Sequence, residues 1–135
     1  MGKQKLPQFS GSISQFCAMM ERAQRDYAWN YEEVNRMDGL TQDYLHKLEL
    51  DNLDYAKRAK LATQLAECRK RRRACKDMVE VLSPLVGFLE SDKGKTLLNL
   101  MREALGKTRK VEERMETRTY FPRVLKLGGN QDESE

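Results

Sequence analysis

The chain has few of the residues that interrupt or cross-link a fold. Its 135 residues include three prolines, Pro7, Pro84 and Pro122, spaced so that two long stretches remain uninterrupted. Glycine is also sparse inside those stretches, and helix is the natural conformation for them. No run of about 18 apolar residues occurs, which excludes a membrane-spanning helix. The opening MGKQKLPQFSGS has two lysines but no apolar segment behind them, so it does not read as a secretory signal. It begins Met-Gly, yet Leu6 stands where the myristoylation pattern wants Ser or Thr.

Cysteine is limited to Cys17, Cys68 and Cys75, an odd and scattered set that reads as reduced, buried side chains of a cytoplasmic protein. On one helix, Cys68 and Cys75 would stand about 10 Å apart, beyond disulfide reach. His46 is the one histidine. Asp43, one helical turn earlier, could orient its ring, but no nucleophile or second base accompanies the pair. One histidine and unpaired cysteines do not make a common zinc set either. Two Gly-Lys-Thr triplets, at Gly94 and Gly106, lack the further glycine of a phosphate loop; Leu89 and Met101 occupy its place, and neither triplet follows a strand. No catalytic constellation, metal site or cofactor site emerges.

Charge and helical periodicity are abundant. Charged residues are 34% of the chain and hydrophobic residues 39%, a balance suited to long two-faced helices. Ser12 with Gln15 forms a capping-box signature that predicts a helix from about residue 13. From there an alternating three–four spacing runs Ile13, Phe16, Met20, Ala23, Tyr27, Asn30, Val34, Met37, Thr41, Tyr44, Leu48, predicting a helix over 13–49. Leu50-Asp51-Asn52-Leu53-Asp54 predicts the reversal. A second seam from Arg58 through Leu61, Leu65, Cys68, Arg72, Cys75, Val79 and Leu82 predicts a helix over 54–82. Ser83-Pro84 predicts a kink or a restart over 84–90, since an interior proline removes a hydrogen bond. A last helix over 92–117 would carry Leu97, Met101, Ala104, Leu105, Val111 and Met115 on its apolar side. The β-forming, proline-containing segment after it predicts an extended arm and acidic tail over 119–135, and residues 1–11 read as a disordered lead. The expected fold is all-α: a long antiparallel, coiled-coil-like hairpin, a third C-terminal helix and an extended arm.

Charge is segregated. Residues 21–54 hold nine acidic and four basic side chains, whereas residues 55–76 hold nine basic and one acidic. A turn centred near residue 52 places position i opposite about 104 − i, and so Arg69–Arg73 opposite Glu32 and Glu33. The basic run therefore either holds the hairpin in register or forms a phosphate-binding surface; Arg69, Lys70, Arg71, Arg73 and Lys76 are its candidate contacts. Trp29, beside Tyr27 and Tyr31, is expected to cover the third helix or to stand exposed as a partner anchor. Tyr120, Phe121 and Arg123 on the arm either pack back on the bundle or add to a partner's surface.

The stretches LTQDYLHKLEL, RAKLATQLAECRKRRRACKD and GKTRKVEERMETRTYFPRVL resemble small uncharacterised proteins encoded by phages and prophages of Gram-positive bacteria. The resemblance covers most of residues 12–125 and implies an accessory viral factor in the cytoplasm of a bacterial host cell. It brings no functional residues with it. The expected function is non-enzymatic binding to a host or viral macromolecule, such as a nucleic-acid enzyme. Direct nucleic-acid binding through residues 57–76 is the alternative, and a structural coiled-coil or virion-assembly role the second. The expected partners are a protein, a nucleic acid in the alternative reading, and a second copy in a homodimer; no membrane and no cofactor is expected.

Overall fold

A computed structural model describes residues 8–125. Three helices account for nearly all of them: α1 (Phe9–Leu50), α2 (Tyr55–Glu90) and α3 (Asp92–Thr117). At 1.5 Å per residue α1 is about 63 Å long and α2 about 54 Å. The two pack along each other as an antiparallel hairpin, with α3 beside it. No strand occurs among the described residues, and no helix is long and apolar enough to cross a membrane.

The hairpin turn falls at residues 51–54, where the composition puts it. Asp54 caps α2, its side chain accepting from the Lys57 N–H at 2.9 Å. Lys47 pairs with Asp51 at 3.0 Å on the other side. The three–four seams are the contact line. Every position from Ile13 to Leu48 on the α1 seam is buried or half-buried, as is every α2 seam position but Arg58. Midway along, the Cys68 Sγ donates to the Met37 carbonyl at 3.3 Å, and the Thr41 hydroxyl donates to the same carbonyl at 2.8 Å. Cys17, Cys68 and Cys75 are all free and buried.

At the far end from the turn, Leu89 of α2, Leu98 of α3 and Cys17 and Met20 of α1 form a core cluster, with Ile13, Phe16, Leu85 and Met101 packed against it. α3 runs opposite to α1 along its N-terminal half: Arg102 pairs with Glu21, and ten residues later Glu112 meets Ser10. The result is a three-helix base from which the α1–α2 pair continues alone to the turn.

Four expectations need correction. α1 begins at Phe9, upstream of Ser12, and its N-cap, Gln8, makes no side-chain cap bond. The first turn is capped in tertiary fashion instead, the Ser10 N–H donating to Glu112 Oε2 at 3.1 Å. Residues 9–11 are therefore helical and Gln8 is their cap; residues 1–7 of the expected lead lie outside the described residues, as do residues 126–135 of the expected tail. Second, α2 does not restart at Ser83-Pro84 but continues through it as one helix. Pro84 is exposed, so the Glu80 carbonyl that loses its partner can turn to water, while Leu82, Leu85, Val86 and Leu89 hold the helix in place on either side.

Third, the apolar side of α3 is rotated in part from the expected one: Met101, Ala104, Leu105 and Met115 are half-buried as expected, but Leu98 is buried, whereas Leu97 and Val111 are exposed. The rotation follows from Gly94. A one-residue turn at Ser91 links α2 to α3, with the Ser91 Oγ accepting from the Gly94 N–H at 3.1 Å. This brings Gly94 so close to α2 that an added Cβ would lie 1.9 Å from the Phe88 carbonyl oxygen. Fourth, Trp29 does not cover α3; it lies on the hairpin beside α2. The described part of the arm, 119–125, is non-helical. Tyr120, Phe121, Val124 and Leu125 are exposed on it rather than packed back.

Candidate interaction surface

The charged side chains of the hairpin centre on Glu33, 7% exposed on α1. A buried carboxylate requires partners, and Glu33 has two arginines. Arg36, one turn later on the same helix, donates from Nε to Oε1 at 2.9 Å and from Nη2 to Oε2 at 3.1 Å. Arg71 crosses from α2, with both Nε and Nη2 2.7 Å from Oε2. These bonds, Arg36's first and then Arg71's, hold the Glu33 carboxyl down to about 2 against burial, which acts in the opposite direction.

Asp38 is the second acidic anchor. It takes Arg72 at 2.5 Å and Arg69 at 3.7 Å. The basic run is thus paired to Glu33 and Asp38, rather than to Glu33 and Glu32. A hydrogen-bonded register brings Asp38 alongside because Arg72 lies on the seam itself, half-buried, and must find a carboxylate near the contact line. Three candidate cations behave differently. Lys70 and Arg73 are exposed and Lys76 half-exposed, and none has an ion-pair partner among the described residues.

The Arg71 guanidinium also lies over the Trp29 ring, 5.9 Å from its centroid, a cation–π geometry. Trp29 is 56% exposed. Glu33 fixes Arg71, and Arg71 lies over the indole, so an aromatic side chain and a planar cation stand ordered together on the hairpin surface. Tyr27 and Tyr31 form a separate stacked pair with centroids 6.1 Å apart, and Tyr31 is exposed. The other sequence-derived candidates, Tyr120, Phe121 and Arg123, lie on the arm beyond α3 and are not brought to this surface.

The remaining motifs form no site. His46 is exposed on α1, and both Gly-Lys-Thr triplets lie inside α3. Among the described residues no three His, Cys, Asp or Glu side chains are grouped to hold a metal ion. Sequence reasoning missed the Asp38 anchor and a shallow hollow at the start of α3, lined by Asp92, Lys93, Thr96, Leu97 and Leu100. The signal for the hollow was present: Leu97 and Leu100 begin a second three–four stripe on α3. No protein-family model, no curated protein and no solved structure matches the chain.

Proposed function

We propose that this protein works by binding a protein partner through the Trp29–Arg71 side of its α1–α2 hairpin, without catalysing a reaction, as an accessory factor of the phage type implied by the resemblance. A host or viral nucleic-acid enzyme is the partner that suits its size and basic character. The observation carrying this reading is the pre-ordered pair of exposed Trp29 and Arg71, the latter anchored by Glu33. Tryptophan and arginine dominate the energetics of protein interfaces, and a side chain ordered before binding loses less entropy on contact. Intramolecular pairing of Arg69, Arg71 and Arg72 also reduces the charge left for phosphates.

A second reading rests on Lys70, Arg73 and Lys76, which are left without internal partners among the described residues. They would support salt-sensitive nucleic-acid binding.

Affinity purification with and without nuclease, combined with anisotropy titrations against DNA and RNA at low salt, separates the two. The first reading expects a nuclease-resistant protein partner that Trp29→Ala removes, and no titration with either nucleic acid. Nucleic-acid binding that is lost when Lys70, Arg73 and Lys76 are all changed to Gln would replace it with the second. A partner retained equally by Trp29→Ala and Arg71→Gln would overturn the assignment of this surface.

A further inference from the structure

α3 carries two apolar stripes. One, through Leu98 and Met101, faces the other helices. The other recurs in alternating steps of three and four as Leu97, Leu100, Ala104, Lys107, Val111 and Arg114. By helical periodicity it lies on the far side of α3 from Leu98. Leu97, Leu100 and Val111 are exposed, Leu100 at 55%. This spacing is the contact line of a left-handed helix pair.

We propose that the stripe pairs α3 with α3 of a second copy, antiparallel about a two-fold axis between Ala104 and Lys107. Charge selects both the occupant and the direction. A parallel pair would put Lys107 beside Lys107 and Arg114 beside Arg114 along the seam. The antiparallel pair sets Lys107 against the partner's Ala104, where its aliphatic stem covers the methyl group, and Leu100 against the partner's Val111. Glu103 and Lys110 are seven residues apart on one flank of the stripe, and neither has an ion-pair partner among the described residues. Residues in equivalent flanking positions face each other across an antiparallel pair, so Glu103 meets the partner's Lys110 twice by symmetry. A parallel pair would offer them Thr108 and Met115 instead. The stripe is therefore complementary to itself in one direction only.

The arm fits the same arrangement. The antiparallel register brings Thr117 level with the partner's Gly94, so the arm bearing Tyr120 and Phe121 starts over the hollow lined by the partner's Asp92, Lys93 and Leu97. Tyr120 and Phe121 of a chain's own arm cannot reach its own hollow. About 26 Å of helix separates Leu100 from Thr117, whereas Phe121 reaches at most about 14 Å beyond Thr117. This surface is separate from Trp29 and Arg71, and the proposal does not depend on what binds there.

Light scattering of the full chain, from micromolar to hundreds of micromolar, tests the association. The expected mass is twice 15.8 kDa. Leu100→Glu, with unchanged helicity, should give the single mass. Lys110→Glu should weaken association about tenfold or more, and adding Glu103→Lys to it should restore it. Because the native cysteines are buried, oxidative cross-linking tests direction: Leu100→Cys combined with Val111→Cys should give a covalent dimer, and Leu100→Cys alone should not. A monomer at every concentration, a dimer indifferent to Leu100→Glu, no rescue by the charge exchange, or cross-linking by Leu100→Cys alone would each overturn the proposal.

Discussion

The Arg71 side chain of α2 reaches across the hairpin to the buried carboxylate of Glu33, both Nε and Nη2 standing 2.7 Å from Oε2. The contact joins two roles. It pins the register of the two longest helices, and it holds the guanidinium over Trp29. A basic residue that the sequence left open between structure and binding serves the first directly.

The pH dependence of stability follows from it. Folding lowers the Glu33 carboxyl from 4.5 to about 2, so the folded state is favoured fully above pH 4.5 and loses that advantage as the pH falls toward 2. Thermal melts should show the wild-type Tm falling through this window more steeply than that of Glu33→Gln, whose amide cannot titrate. Parallel profiles would remove Glu33 from the account.

Glu112 should protect the start of α1. Its carboxyl is held below the usual range by hydrogen bonds from Ser10, the hydroxyl's first and then the backbone N–H's, in the place a local capping side chain would otherwise take. Glu112→Ala should raise the hydrogen-exchange rate of the Ser10 amide about fivefold while leaving amides near Leu61 unchanged. Unaltered exchange at Ser10 would show that α1 does not need this cap.

Two glycines of α3 should respond with opposite signs. Gly94→Ala would drive a methyl group into the Phe88 and Leu89 backbone, and should destabilise the protein by about 3 kcal/mol. Gly106 has nothing within 4 Å of an added Cβ, so Gly106→Ala should stabilise by about 0.5–1 kcal/mol through helix propensity. Urea midpoints decide both, and equal effects would refute the close approach of α2 and α3.

Pro84 offers a fourth test. It lies exposed inside a continuous α2, and Pro84→Ala restores an N–H for the Glu80 carbonyl. Stability should rise by about 1–3 kcal/mol. A fall in Tm would show that the proline is needed where it stands.

What the sequence determined by itself was the hairpin. Apolar side chains recurring every three and four residues can be buried together only on a helix, and two such helices joined by Asp51–Asp54 have little choice but to pack antiparallel. Hence the seam positions from Ile13 to Leu48 are all at least half-buried, and Arg71 finds Glu33 where counting back from the turn puts it. The start of α1, the passage through Pro84, the rotation of α3 and the exposure of Trp29 were decided only in the tertiary structure. Three depend on a partner distant in sequence, Glu112 for Ser10, the base of the bundle for Pro84 and Arg71 for Trp29, and the fourth on the Phe88 backbone that the reversal at Ser91 folds against Gly94. Local rules weigh a residue against its neighbours within a helical turn or two. A carboxylate more than a hundred residues away, or a backbone atom that leaves room for no Cβ, outweighs them and leaves no mark in the local pattern.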